Sequence, residues 1–303
     1  MKNKHSSPWL VYSAAICAML FWGGSYVWST IVFGYWGPIT TIFLRSILTA
    51  VMLFIALKLI RKLDKIERKD YKNLFILALF SPFLYFLGES FGLKYSSPTI
   101  SAAFIALIPI FTTLTASVKL KEKLPKINIL GMMVSFFGII LMMVDGNMEF
   151  TSKWYGIACL MLAVASSAVY SIFIRRMSVK YNPFTIIAWQ DLGGALLFLP
   201  LFLIFEWNTF ITAEPTKELI FSFLMLLIFS SMLAFPFYTF TIREIGVSRA
   251  AIFANLIPVV AAFVSFFVLK EHFDVNKIAG VILVVGGVFL SQIGKAKLDN
   301  NPK

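Results

Sequence analysis

Ten apolar stretches, each long enough to cross a lipid bilayer, dominate this 303-residue chain. A spanning helix needs about 20 mostly apolar residues because the hydrocarbon core is about 30 Å thick. The stretches are 9–32, 39–57, 74–93, 99–118, 127–144, 154–174, 184–205, 219–242, 249–269 and 275–293. The connectors between them are short and charged. The pattern predicts an all-α membrane protein with ten transmembrane helices.

The composition excludes an ordinary soluble enzyme. Hydrophobic residues make up 59% of the chain and charged residues 14%, whereas soluble domains average about 45–50% and about 25%. A soluble globule must cover its surface with polar groups, so it cannot absorb this apolar excess. We therefore expect a multi-pass protein of the cell membrane, the inner membrane where there are two.

The net charge of +12 has two explanations, nucleic-acid binding or basic flanks on membrane helices. With a cytoplasmic N-terminus, 21 of the 27 Lys and Arg lie in the tails and connectors on the inner side and five on the outer side. Cytoplasmic segments of membrane proteins carry this excess. The asymmetry predicts that both tails, 1–8 and 294–303, are cytoplasmic, and it argues against a nucleic-acid partner.

An internal repeat relates the two halves of the chain. Residues 102–109 match 251–258 without gaps, and each segment ends in Leu-Ile-Pro. The matching Leu-Lys-Glu sequences and glycine pairs further along are Leu120-Lys121-Glu122 with Leu269-Lys270-Glu271, and Gly131 and Gly138 with Gly280 and Gly287. Each half, 9–144 and 154–293, holds five spans, and five is odd. The halves therefore enter the membrane from opposite sides, an arrangement typical of secondary transporters.

These features resemble the drug/metabolite transporter superfamily, and within it the EamA family with one EamA-like unit in each half. The resemblance rests on the two five-span halves, the paired Leu-Ile-Pro and Leu-Lys-Glu motifs, and two segments of the first two spans, Phe21-Trp22-Gly23-Gly24-Ser25 and Phe43-Leu44-Arg45. It implies export or exchange of a small metabolite, amino acid or drug across the cytoplasmic membrane.

Three charges stand out well inside the spans: Arg45, Glu89 and Asp191. Such charges are costly in a bilayer and normally face a cavity or a partner. Arg45 and Glu89 lie at similar depths, so they are expected to pair and close the outer side. Asp191, with Arg243 or Arg249, is expected to close the inner side. Alternatively, Arg45 holds a substrate carboxylate while one acid carries a proton, or the pairs only hold the helices together.

Other candidates come from proline, amide and aromatic side chains in the spans. Pro109 and Pro258 occupy matching positions and predict kinks, because proline removes a backbone hydrogen bond. These kinks are either hinges or static bends. The polar Asn255 lies deep in the ninth span. The aromatic candidates for a cavity are Trp22, Tyr26, Trp28, Tyr85, Tyr170, Trp189 and Tyr238. Trp22, Tyr85 and Tyr238 are favoured, the last being the repeat counterpart of Glu89; the alternative for each is ordinary packing.

Two histidines and two cysteines form no ligand-spaced or nucleophile–base arrangement. We expect no enzyme activity, cofactor or metal. The expected partners are a small-molecule substrate and the lipid bilayer, with coupling to a proton left open and the protein either a monomer or a homodimer. Two other functions stay open: a membrane partner or sensor without transport, and a membrane-embedded enzyme that modifies lipids.

Overall fold

A computed structural model describes residues 7–111, 126–144, 152–246, 249–250 and 253–298, with the side chains of 291–298 left out. Every element in these ranges is a helix. In chain order they are α1 Pro8–Phe33, α2 Pro38–Leu59, α3 Arg68–Lys94, α4 Pro98–Phe111, α5 Lys126–Met143, α6 Trp154–Lys180, α7 Pro183–Thr212, α8 Lys217–Ile245, α9 Phe253–Val268 and α10 Val275–Leu298. Both tails, the Leu120-Lys121-Glu122 motif and the second half of the predicted fourth span extend beyond these ranges.

The described helices fall on the ten apolar stretches. By length and composition, α1, α2, α3, α5, α6, α7 and α8 are able to cross a membrane, and Pro98–Phe111, Phe253–Val268 and Val275–Leu290 are shorter apolar helices. Four helices, α1, α2, α4 and α7, have a proline at or next to their first residue. Proline suits this position because its fixed backbone angle is helical and no hydrogen bond is lost there.

The distribution of side chains is that of a protein surrounded by lipid. Large apolar side chains point outward: Phe137, Leu196 and Phe263 are 60%, 63% and 65% exposed. Polar side chains such as Ser135 and Ser101 are fully buried and hydrogen-bonded. In a bilayer the polar groups must find partners inside the bundle, whereas apolar groups face the hydrocarbon. The all-helical membrane fold expected from the sequence is therefore observed.

The two halves of the chain interlock. The largest interfaces between helices join α5 to α10, α3 to α6, α1 to α8, and α2 to α7, and α1 also packs on α9. Each of these pairs takes one helix from each half. The halves predicted from the repeat are therefore not separate bodies.

The repeated glycines lie at the α5–α10 interface. A Cβ added to Gly280 would lie 2.7 Å from the carbonyl oxygen of Gly138, and one added to Gly287 would lie 2.6 Å from that of Gly131. Only glycine permits backbones to approach this closely. The sequence left open packing within the bundle or at a dimer interface, and in this structure the contact lies within one chain.

The second Leu-Lys-Glu motif ties three helices together. Its Glu271 accepts a hydrogen bond from Thr99 of α4 at 2.9 Å and another from Ser265 of α9. The same carboxylate forms an ion pair of 3.2 Å with Lys277 of α10. The glutamate of this motif thus stabilises the bundle.

Carboxylates cap α2 and α7 reciprocally. Glu206, near the end of the apolar part of α7, accepts hydrogen bonds from the backbone amides of Ile39 (3.3 Å) and Thr40 (2.7 Å) in the first turn of α2. Asp64, which lies after the end of α2, accepts one from the amide of Asn182, the residue before α7. Both carboxylates accept hydrogen bonds from amides that would otherwise lack partners at a helix start. Each negative charge is also stabilised by the positive end of the other helix's dipole.

We call the end of the bundle where α1 begins the basic end, because Lys62, Lys180 and Arg243 line one crevice there together with Leu10 of α1. The end that holds Glu206 is called the opposite end. The bundle axis runs from one to the other.

Candidate functional site

A cavity in the middle of the bundle is lined by residues from α1, α2, α3, α4, α6, α8 and α9. Six of the favoured sequence-predicted residues line it, namely Arg45, Glu89, Trp22, Tyr85, Tyr238 and Pro109. Asp191, Asn255 and Pro258 do not. The cavity therefore brings together most of the favoured candidates from the first half of the chain and one from the second.

Glu89 is held by two tyrosines. Its Oε1 accepts a hydrogen bond from the Tyr26 hydroxyl and another from the Tyr85 hydroxyl, each at 2.6 Å. Tyr85 lies one helical turn before Glu89 on α3, whereas Tyr26 reaches across from α1. Neither bond uses Oε2, so one oxygen is left for another donor.

Glycine brings α3 close to α6 beside this carboxylate. A Cβ added to Gly88 would lie 2.4 Å from the carbonyl oxygen of Cys159 and 2.8 Å from the amide of Ala163. Because Gly88 presses on α6, the next residue, Glu89, is carried on a part of α3 that is fixed by backbone contact.

Arg45 is held by two serines. Its Nε donates to Ser231 Oγ at 3.1 Å and its Nη2 to Ser230 Oγ at 3.2 Å. The guanidinium also lies over the ring of Phe86, 5.0 Å from the centroid, a favourable cation–π position. Both serines belong to Leu226–Ala234, a π-helical segment of α8, and such wider turns are frequent at functional sites.

The expected direct ion pair between Arg45 and Glu89 is not formed. Among the described residues, no ion pair within 4.0 Å includes either side chain. The serines take the guanidinium and the tyrosines take the carboxylate, which leaves the two charges facing the same cavity.

The expected partner of Asp191 is also wrong. Within the described part of the chain, Arg243 pairs with its neighbour Glu244 at 3.5 Å, and Arg249 is exposed. Asp191 is buried, and among the described residues no ion pair within 4.0 Å includes it. The sequence placed Asp191 near the basic end by counting residues along α7, but that count does not show which helices face it.

Trp22 presents a donor without a partner. Its indole Nε1 is buried and has no hydrogen bond within the described residues. The ring lies edge-on to Phe235 and Tyr238, with centroids 4.9 Å and 5.1 Å away. Because a buried indole N–H is costly without an acceptor, Trp22 is suited to donate to a molecule in the cavity.

The two predicted kinks lie next to irregular backbone. In α4 the helix is interrupted at residues 106–107, just before Ile108-Pro109. In α9 a 3-10 turn, Phe253–Asn255, precedes the α-helical part that contains Pro258. Asn255 lies in that turn, buried, and its Oδ1 has no partner in the described ranges.

Sequence reasoning named the tyrosines of the lining, Tyr26, Tyr85, Tyr170 and Tyr238, but missed its serines. These are Ser25, Ser29, Ser81, Ser90, Ser167, Ser171 and Ser230. Serine barely changes the hydropathy of an apolar stretch, so charge counting does not find it. The four-residue spacing of Ser25 with Ser29 and of Ser167 with Ser171 places each pair on one helix face, and that spacing was the available signal.

The cavity is narrow in this structure. Its free volume is about 70 Å³, which is room for two to three waters at about 30 Å³ each. Pockets for small organic ligands are larger, about 300–1,000 Å³. The crevice at the basic end, by contrast, measures about 960 Å³. An organic molecule fits the central cavity only after the surrounding helices move apart.

Comparison with known proteins gives one family. A profile of the EamA-like transporter family matches residues 9–144 and 154–292. An uncharacterized transporter of Archaeoglobus fulgidus is 25% identical over 93% of this chain and 97% of its own length. The uncharacterized transporter YoaV of Bacillus subtilis is 25% identical over 91% and 94%. A solved crystal structure, 17% identical, superposes with a TM-score of 0.70 over 97% of this chain and all of that one.

Proposed function

This chain belongs to the EamA-like transporter family, and we propose that it is a secondary transporter of a small organic metabolite, amino acid or drug. It works by alternating access of its two inverted five-helix halves. All ten helices cross the cytoplasmic membrane, and the basic end, with both tails, faces the cytoplasm. The excess of Lys and Arg at that end supports this orientation.

The observation that carries the proposal is a pair of opposite charges facing one cavity inside an apolar bundle. Arg45 and Glu89 both line the central cavity, and neither is neutralised by an ion pair within the described residues. Intramembrane charges are retained where they face substrate or ion pathways. The family membership supports a transport role for this cavity.

The contacts of each charged group leave it able to bind another molecule, and this defines its proposed role. Arg45 binds an anionic group of the cargo, such as a carboxylate, beside the Trp22 indole N–H. Glu89 receives a cationic group or a coupling proton on the side that the tyrosines do not occupy. The sequence has no phosphate-binding Gly-rich loop followed by Lys-Ser or Lys-Thr, so a solute or ion gradient drives the movement.

The test is counterflow into proteoliposomes that contain the purified protein, with a panel of amino acids, nucleosides and amphipathic drugs. Wild-type protein should exchange at least one panel member. Arg45→Ala and Glu89→Ala should abolish the exchange while expression and membrane insertion stay normal. Matched exposed controls are Arg68→Ala and Glu214→Ala.

Three results would count against the proposal. Normal exchange by either cavity variant would show that these charges only hold helices together. No exchange of any panel solute, in either direction and with or without a proton gradient, would favour a membrane partner or sensor. Chemical change of added phospholipid would favour a lipid-modifying enzyme. The oligomeric state, monomer or homodimer, is read from the same preparation by light scattering.

A further inference from the structure

The two ends of the bundle carry the same kind of tyrosine–acid bond. At the opposite end, Tyr35, just after α1, donates to Glu218 in the first turn of α8 at 3.0 Å. At the basic end, Tyr181, just after α6, donates to Asp70 at the start of α3 at 2.7 Å. One bond joins α1 to α8 and the other joins α6 to α3.

The repeat relates these bonds approximately, since the paired acids are offset by one residue in the register that aligns Glu89 with Tyr238. The helices α1 and α6 are counterparts, and so are α3 and α8. Both acids follow a lysine, in Lys69-Asp70 and Lys217-Glu218, and each tyrosine stands two or three residues before the proline that opens the next helix. Inversion of one half places the two copies of the contact at opposite faces of the membrane.

The bond at the basic end is part of a larger cluster. Asp70 is 8% exposed and also accepts from Lys180 at 2.6 Å, and Lys180 pairs with Glu67 at 2.7 Å. The pKa of the Glu67 carboxyl lies below its ordinary value because Lys180 and Lys69 donate to it. The Tyr35–Glu218 bond, by contrast, is exposed. Within the cluster Asp70 is buried, whereas the side chains of Lys180 and Glu67 are 35% and 50% exposed. The greater strength at the basic end therefore comes from the buried Tyr181–Asp70 bond and from a second donor to the same carboxylate.

The helices joined by these bonds carry the cavity groups. Tyr26 is on α1, Glu89 on α3, Ser171 on α6, and Ser230 and Tyr238 on α8. Separation of α1 from α8 at the opposite end would widen the cavity toward that end. Separation of α6 from α3 would widen it toward the basic end. In this structure both bonds are formed and the cavity is narrow.

We propose that Tyr35–Glu218 and Asp70–Tyr181–Lys180 are two latches that open in turn during transport, and that the second is the stronger. The inference rests on the proposed function, since it assigns the groups that control access to the same cavity. Because the latch at the basic end is stronger, the opposite end opens more readily in the unloaded protein.

The experiment uses a cysteine in the cavity as a reporter of access. Ser25→Cys is made in a Cys17→Ser, Cys159→Ser background and is labelled with a membrane-impermeant maleimide from either face of oriented vesicles. Asp70→Asn should raise labelling from the basic end about tenfold or more. Tyr35→Phe should raise labelling from the opposite end about two- to fivefold.

Tyr71→Phe, an exposed tyrosine beside Asp70, is the matched control and should leave both rates unchanged. If Asp70→Asn protein is not monodisperse, Tyr181→Phe decides, because it keeps the Lys180–Asp70 pair and removes one hydroxyl. Unchanged labelling, or faster labelling from the same face in both latch variants, overturns the latches.

Different experimental results would contradict the latches and the proposed transport function. If the wild-type protein exchanges solute but the latch variants do not change the labelling rates, the latches are contradicted and the transport function stands. If the labelling rates change as expected but the protein exchanges no solute, the transport function is contradicted and the two latches stand.

Discussion

At the scale of single residues, the site is built from polar groups that hold two charges without neutralising them. Glu89 is held by hydroxyls of α1 and α3, and Arg45 by hydroxyls of α8. A hydroxyl stabilises a charge but leaves it able to bind an opposite charge. This distinguishes the arrangement from a closed ion pair, which would have little left to offer a substrate.

Tyr26→Phe tests whether the bond from α1 matters for transport. A hydrogen bond to a charged group contributes about 1.5–3 kcal/mol, so counterflow should fall about tenfold or more while the protein stays folded. Tyr12→Phe, an exposed tyrosine of the same helix, is the control. Equal counterflow by the two variants would show that Tyr85 alone is sufficient to hold Glu89.

Sequence alone found the charged residues of the site but not their partners. Arg45 and Glu89 were found because a charge in an apolar stretch is costly and conspicuous. One partner of Glu89, Tyr85, lies only four residues away and was a candidate, although not as its partner. The other partners, Tyr26 and the serines of α8, lie 63 and 185–186 residues away, and no local sequence pattern predicts such contacts. The predicted Arg45–Glu89 ion pair was wrong because equal depth in the membrane does not establish that two side chains are in contact.

At the scale of helices, the structure depends on contacts that each half makes for the other. The Glu206 cap is one such contact. Glu206→Ala removes the acceptor for two amides of α2 and a charge at its positive end, so the free energy of unfolding should fall by about 1–2 kcal/mol. Thermal unfolding in detergent measures it. An unfolding temperature equal to that of Glu214→Ala would show that Glu206 does not act as a cap.

The α5–α10 interface gives a second test at this scale. A Cβ at Gly280 would lie 2.1 Å from Met142 Cγ and 2.7 Å from the Gly138 carbonyl oxygen, whereas one at Gly286 meets nothing within 4 Å. Gly280→Val should therefore lower the yield of folded protein, as overpacking costs about 1–3 kcal/mol. Gly286→Ala should be neutral or slightly stabilising. Equal yields of the two variants would contradict the interface.

The helices themselves were the most predictable level. An apolar stretch of about 20 residues has few alternatives in a bilayer, and prolines mark several helix starts. The π-helical segments were not predicted, because their sequences are as apolar as their surroundings. The break inside α3, where Ser81 has extended backbone angles before Pro82, was also missed; the sequence reasoning singled out Pro109 and Pro258 instead.

At the scale of the whole molecule, the interlocked halves imply that neither is stable alone. Residues 1–150 expressed without 151–303 lack the partners of α2, α3 and α5, so this fragment should be degraded. Coexpression of both fragments should restore a complex that purifies together on a tag on one of them. Accumulation of either fragment alone as folded, monodisperse protein would contradict this expectation. The repeat predicted two halves; the extent of their mutual contact required the structure.

The reciprocal caps of α2 and α7 also constrain how the sequences of related proteins diverge in evolution. Each carboxylate reaches the other half only because the helix before it has the right length. Substitutions along the lipid-facing surfaces leave that reach intact. A one-residue insertion in α2 moves Asp64 away from Asn182 and rotates the rest of the helix, and the damage appears in the half that was not altered. We therefore expect relatives to differ freely in side chains while these two helices keep their lengths together.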